Sequence, residues 1–238
     1  ATGYRYATLG YTTAMEAAVP PLMARHALEE MYDTPIIDNG YYVLLGNNLF
    51  LQSLIAEGRK EEFKEAVAWW LNVTKAYTVK LVNPGADEPW KGHKNLNVKH
   101  IDDNSKVVDI APRTVIDAFI NVVHELGLPH PPHIHCNNLG HTGNYDTTIE
   151  TMKTAGDRRL HVAHIQFNSY SGEMGKSPQS ASKEITDYIN DHENITCDVG
   201  QVMFGKAAFM TADAPLTYLL RGYKKQKWVN ADTECESG

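Results

Sequence analysis

The sequence predicts an α/β fold in which strands and helices alternate around a parallel sheet, a (β/α)₈-type barrel short of its eight units. Three observations predict it. Apolar runs at 130–136 and 159–167 carry histidines toward their ends and are separated by a helix-patterned segment, as buried strands feeding a barrel mouth would be. Strand-like and helix-like segments alternate about six times, which calls for parallel pairing. The 238 residues suffice for one large core and approach the roughly 250 of a complete barrel. One domain over 1–238 is the simplest division, since no linker, repeat or low-complexity segment interrupts it.

In order, residues 12–17 read as a short buried strand, and Pro20 and Pro21 open a helix reaching about Tyr32. Residues 36–38 and 41–45 form a second strand region. Leu54, Phe63, Val67, Trp70, Leu71 and Val73 mix with Glu and Lys as on amphipathic helices broken near Gly58. Residues 77–82 are the third strand, followed by a polar loop over 86–109 with Trp90, Lys91, His93 and Lys94; loops this long are usually functional or disordered. Residues 112–126 form an amphipathic helix that Gly127 ends. The histidine strand to Cys136 follows, then a helix at 144–154, a strand at 159–167, a helix at 177–192 with Ser180 or Ser182 near its cap, and a strand at 195–199.

Composition narrows the function. Hydrophobic residues at 42% and charged residues at 21% argue against disorder. A net charge of −7, from 22 basic and 29 acidic residues, disfavours nucleic acid as a partner. No apolar stretch approaches the roughly 18 residues of a membrane span. The start is not a signal peptide, and Cys136, Cys197 and Cys235 make an odd set without a Cys-x-x-Cys pair, which fits a reducing cytoplasm. Without an initiator methionine, and ending at Glu-Ser-Gly, the chain is expected to be a fragment or processed product.

Three strands present a ligand type near their carboxyl ends: Lys80, His135 and His164. Alternation puts His133 on the face of His135 one layer deeper, and His161 opposite His164, so the mouth favours His135 and His164. Strand histidines also occur as hydrogen-bonded core residues. Lys80 stands between Val79 and Leu81; desolvation lowers a lysine pKa, and a neutral amine can take up carbon dioxide as a carbamate, although a lysine can also snorkel to solvent. Asn137 and Asn138 could hydrogen-bond a substrate amide or serve a turn, and Gln166, Asn168 and Asp198 could line the pocket or brace the histidines. Cys136 reads as a small buried hydrophobe.

These residues resemble a known family. The runs GYTTAMEAAVPP at 10–21, VKLVNPG at 79–85, HCNNLG at 135–140, GNYDTTIETM at 143–152, HIQFNSY at 164–170 and DVGQVMFG at 198–205 are similar, over nearly the whole chain, to one branch of the amidohydrolase superfamily. That branch is the family of formylmethanofuran dehydrogenase A subunits, with a bacterial counterpart in formyltransferase/hydrolase complexes. The resemblance implies a distorted (β/α)₈ barrel and two zinc ions bridged by a carboxylated Lys80, with His135 and His164 on one of them. It implies hydrolysis of the formyl amide of N-formylmethanofuran to formate and methanofuran, or the reverse, in cytoplasmic one-carbon metabolism such as methanogenesis or methylotrophy. The implied partners are the other subunits of such a complex and a methanofuran-type substrate, with Asn137, Asn138, Gln166 and Asn168 as candidate substrate contacts. The family's His-x-His pair on its first strand and catalytic aspartate on its last have no match here. The chain is therefore expected to be the central part of one barrel domain, with no catalytic residue assigned in it and no activity alone. The alternatives are a hydantoinase- or dihydroorotase-like cyclic amidohydrolase, or a metal-depleted scaffold for redox subunits.

Overall fold

The computed structural model describes residues 2–85, 98, 100–104, 109–172 and 179–199. After helix α1 (Thr2–Thr8) come strand β1 (Thr13–Val19), a 3₁₀ turn (Pro21–Met23), α2 (Ala24–Tyr32), β2 (Asp38–Leu44), α3 (Leu49–Ala56), α4 (Lys60–Thr74) and β3 (Thr78–Val82). Then follow α5 (Pro112–Glu125), β4 (His133–His135), α6 (Tyr145–Thr154), β5 (Leu160–Val162), a 3₁₀ turn (Ile165–Asn168), the short strands β6 (Tyr170–Ser171) and β7 (Gln179–Ser180), α7 (Ser182–Asn190) and β8 (Ile195–Cys197). β1, β2, β3, β4, β5 and β8 form one six-stranded parallel sheet in that order, and β6 pairs with β7 antiparallel. Neighbours in sequence are neighbours in the sheet, with helices between them, as expected of a barrel with fewer than eight strands.

Period-two alternation gives this sheet two different faces. Val43, Val79, Leu81, Ile134, Leu160 and Val162 point toward the helices and pack with Leu51, Leu54, Phe63, Val67, Val115, Phe119, Met152 and Ile185 in one buried cluster. Phe63 and Phe119 meet edge to face with ring centroids 5.1 Å apart, tying α4 to α5. The opposite face carries Tyr42, Lys80, His133, His161 and Thr196, polar groups that only an inward-facing site would gather.

Two local devices position β3 and the segment after it. The Lys80 carbonyl accepts from the N–H groups of both Leu45 and Gly46, at 3.0 and 3.3 Å. A Cβ at Gly46 would stand 2.9 Å from the Leu81 Cα, so only glycine lets the chain after β2 close on β3. Pro112 opens α5, and Arg113 forks onto Asp102 at 2.6 and 2.9 Å while its other edge meets Glu150 at 2.9 Å. Residues 100–104 are thereby pinned to α5 and α6.

Several expectations are refined. The run expected as one strand over 159–167 stops at Val162, because His164 takes a left-handed conformation (φ 52°) and a 3₁₀ turn follows. The second strand region is one strand, α7 starts at Ser182, and α1 and the β6–β7 pair carry no periodic signal. Most of the 86–109 loop, with Trp90, Lys91, His93 and Lys94, lies outside the described residues, as does everything from 200 on. Among the described residues no helix is long and apolar enough to cross a membrane.

Gly46→Ala should lower unfolding stability in urea by about 1–3 kcal/mol, the usual cost of overpacking. An unchanged urea midpoint would show that β2 and β3 can separate freely at this point.

Candidate metal centre

The inward face of the sheet is organised by register. β3 and β4 pair Lys80 with His133, and β4 and β5 pair His133 with His161, so these three stand in one layer across three strands. Lys80 is fully buried, with Nζ 2.5 Å from His133 Nδ1; it does not snorkel. The rings of His133 and His161 stack with centroids 4.9 Å apart. Asp198, just past β8, closes the group: its Oδ2 lies 3.3 Å from His133 Nε2 and 3.1 Å from His161 Nε2. Its Oδ1 accepts the His164 N–H at 2.7 Å, which holds that residue's left-handed turn.

His135 sits two residues along β4 from His133, pairing with Val82. Its ring centroid is 4.5 Å from that of His164. His135 Nε2 and His164 Nδ1 are both buried without a hydrogen-bond partner, although the latter lies 3.2 Å from Asp198 Oδ1. The structure thus holds two histidine pairs, His133 with His161 around Asp198 and His135 with His164 one layer along. The alternation argument that separates the pairs fails at His164 because that residue is no longer in a strand.

Electrostatics follow burial. Desolvation pulls the Lys80 amine down to about 7 against the opposing charge of Asp198. It also takes His133 to about 4, helped by Lys80 and His161, and His135 well below the usual histidine range. Burial alone would raise the Asp198 carboxyl, but hydrogen bonding with His133, His161 and His164 holds it well below the carboxylate range. Burial pushes the Cys136 thiol up to about 12, an inert buried group. A cavity of about 490 Å³ opens onto the group, walled by Met15, Ala17, Tyr42, His130, Pro131, His133, His161, His164, Thr196, Asp198 and Val199.

The amides sit differently. Asn137 donates to the Pro84 carbonyl at 3.1 Å, and Asn138, itself left-handed (φ 63°), donates to the Val98 carbonyl at 2.8 Å. Asn168 donates to the carbonyls of Ala163 and His164 at 3.0 and 3.3 Å and so braces the His164 turn. None of these three, nor Gln166, is in the cavity wall. The donor ends of Asn137, Asn138 and Asn168 serve backbone carbonyls, while their amide oxygens are buried and unpaired. Tyr42, His130 and Thr196 were not expected at the site. Tyr42 and Thr196 share the inward parity of Lys80 and His133, a signal readable only once the strands are in register.

The donor set fits a divalent ion. One nitrogen each of His133 and His161 and an Asp198 oxygen lie within 4.8 Å of one another. Two imidazole nitrogens facing one carboxylate oxygen make a concentrated acceptor cluster that a cation satisfies.

In metal-free protein, Lys80 and His133 hold protons less readily folded than unfolded, so folding is favoured as pH rises. The windows are about 4 to 6.5 for His133 and about 7 to 10.5 for Lys80. Each unit of pKa difference contributes roughly 1.4 kcal/mol. Lys80→Met, which has no amine to deprotonate, should raise the metal-free unfolding midpoint at pH 6 and flatten its rise between pH 7 and 10. A slope matching wild type in that window would show that the amine is solvated.

Comparison with known proteins extends this geometry. The amidohydrolase family model matches residues 1–238. The chain is 42% identical over 248 residues to protein FwdA of Methanocaldococcus jannaschii, covering 100% of this chain and 43% of that protein. It is 35% identical over 244 residues to the A subunit of the formyltransferase/hydrolase complex Fhc of Methylorubrum extorquens, covering 99% of this chain and 44% of that one. The crystal structure of that organism's FhcABCD complex with methylofuran superposes with a TM-score of 0.79 at 36% identity, over 85% of this chain and 38% of the solved one. The chain spans less than half the length of these relatives. With a sequential parallel sheet, an inward lysine–histidine layer and a family match along its whole length, this chain belongs to the amidohydrolase family.

Proposed function

We propose that residues 1–238 are the central part of one barrel domain of a metal-dependent hydrolase acting on the formyl amide of N-formylmethanofuran. The products are formate and methanofuran, or the reverse reaction runs, within a cytoplasmic complex like those of the relatives. The observation that carries this reading is Lys80, fully buried against His133 at 2.5 Å in one layer with His161, in a chain 42% identical to FwdA.

Lys80, His133 and His161, with Asp198, are the residues we assign to holding zinc. His135 and His164, with their unpartnered buried nitrogens, are assigned to the mouth as ligands of a second ion or as substrate contacts. Bound zinc would act as a Lewis acid toward water and toward a carbonyl oxygen. The chain's own contribution starts with Lys80. An amine pulled down to about 7 is substantially neutral at physiological pH, so its lone pair can attack carbon dioxide. A nitrogen–carbon bond forms as one C=O π bond of carbon dioxide opens onto oxygen, one N–H proton leaves, and the neutral amine becomes an anionic oxygen donor. His133, held down at about 4 by burial, remains neutral and keeps a lone pair for a metal. Lys80 itself is fully buried, which strengthens each electrostatic contact it makes.

In full-length protein, His133→Asn and His161→Asn should each lose zinc and lower formate release from N-formylmethanofuran. The loss should exceed the roughly 10–100-fold effect of removing an outer hydrogen-bond partner. If His135→Asn or His164→Asn empties the centre while the other two variants keep zinc, the ligands are the mouth pair. Wild-type protein without zinc or formate release would instead favour the scaffold reading.

A further inference from the structure

We infer that Thr196 is a positioning residue whose hydroxyl lets His161 alternate between a metal-free and a metal-bound state, an inference that rests on the metal-binding reading above. β5 and β8 pair His161 with Thr196, and the Thr196 Oγ1 lies 2.9 Å from His161 Nδ1. The other ring nitrogen, Nε2, lies 3.1 Å from Asp198 Oδ2. The ring is thus held at both ends, by a hydroxyl and by a carboxylate.

Those partners dictate where the proton sits. A carboxylate only accepts, so without a cation His161 carries its proton on Nε2 and donates it to Asp198. In a neutral ring Nδ1 is then bare, and the Thr196 hydroxyl donates to it. When Nε2 gives its lone pair to a cation, the proton sits on Nδ1 instead and needs an acceptor. The same hydroxyl, rotated about its C–O bond, supplies one. A backbone N–H in this place could not accept, and a carboxylate could not donate. A hydroxyl serves both tautomers, so neither state leaves a ring nitrogen unsatisfied. His133 has no such partner: its Nδ1 faces Lys80 Nζ, whose state is tied to the centre itself.

The test uses full-length protein, with zinc affinity measured by competition against a chelating dye and the thermal midpoint measured after metal removal. Thr196→Val keeps the shape and loses the hydroxyl. It should weaken zinc binding about 10–100-fold, the range for losing a histidine's outer hydrogen-bond partner, because the more polarised N–H of a metal-bound ring makes the stronger bond to the hydroxyl, and it should also lower the metal-free midpoint, since Nδ1 then loses its donor. Thr196→Ser should restore the affinity. Equal zinc affinity in wild type and Thr196→Val would overturn this inference alone. So would a weakened affinity that Thr196→Ser fails to restore, since the methyl group's packing would then be responsible. Wild-type protein that takes up no zinc would overturn the metal reading and this inference together.

Discussion

The burial of the Lys80 amine is the constraint on which the rest depends. An ammonium at that position lacks water and is surrounded by imidazoles and one carboxylate, so its ordinary charged state is disfavoured. The fold accepts that cost. β3 is fixed on one side by the close approach of Gly46 and on the other by pairing with β4, leaving the side chain no route to solvent. A residue kept where it destabilises the metal-free protein is the pattern of a site held for chemistry rather than for stability.

Asp198 is the counterweight. One of its oxygens faces both His133 and His161, and the other fixes the turn at His164. It therefore links the layer containing Lys80 to the layer containing His135. Two sheet positions, an irregular turn and the end of β8 meet at one carboxylate. The strained left-handed backbone of His164 persists because that carboxylate and the Asn168 amide over-determine it.

Much of this was legible in the sequence. The strand–helix alternation follows from apolar periodicity, and the sheet order from the tendency of consecutive parallel strands to be neighbours. Lys80 stood out because a lone cation in an apolar run has few bland explanations. The histidines were harder. His133 and His135 share parity, so alternation cannot choose between them; pairing with Lys80 distinguishes them, and register across 53 residues is not a local property. His161 and His164 lie in a run that looks like a continuous strand, and the break after Val162 is held by Asp198 from 34 residues away, with Asn168 bracing it locally. Thr196 and Tyr42 have ordinary strand propensities and gain meaning only from the face they share with the lysine.

Lys80 is a buried amine with a lowered pKa, and we propose that it becomes an anionic ligand. The most direct measurement is carbon-13 NMR of full-length protein prepared with zinc and ¹³C-labelled bicarbonate. A carbamate carbonyl resonance present in wild type, absent in Lys80→Ala and accompanied by recovery of activity when short carboxylic acids are added to that variant, is the predicted result. A wild-type spectrum without that resonance, in protein that binds zinc and releases formate, would contradict it.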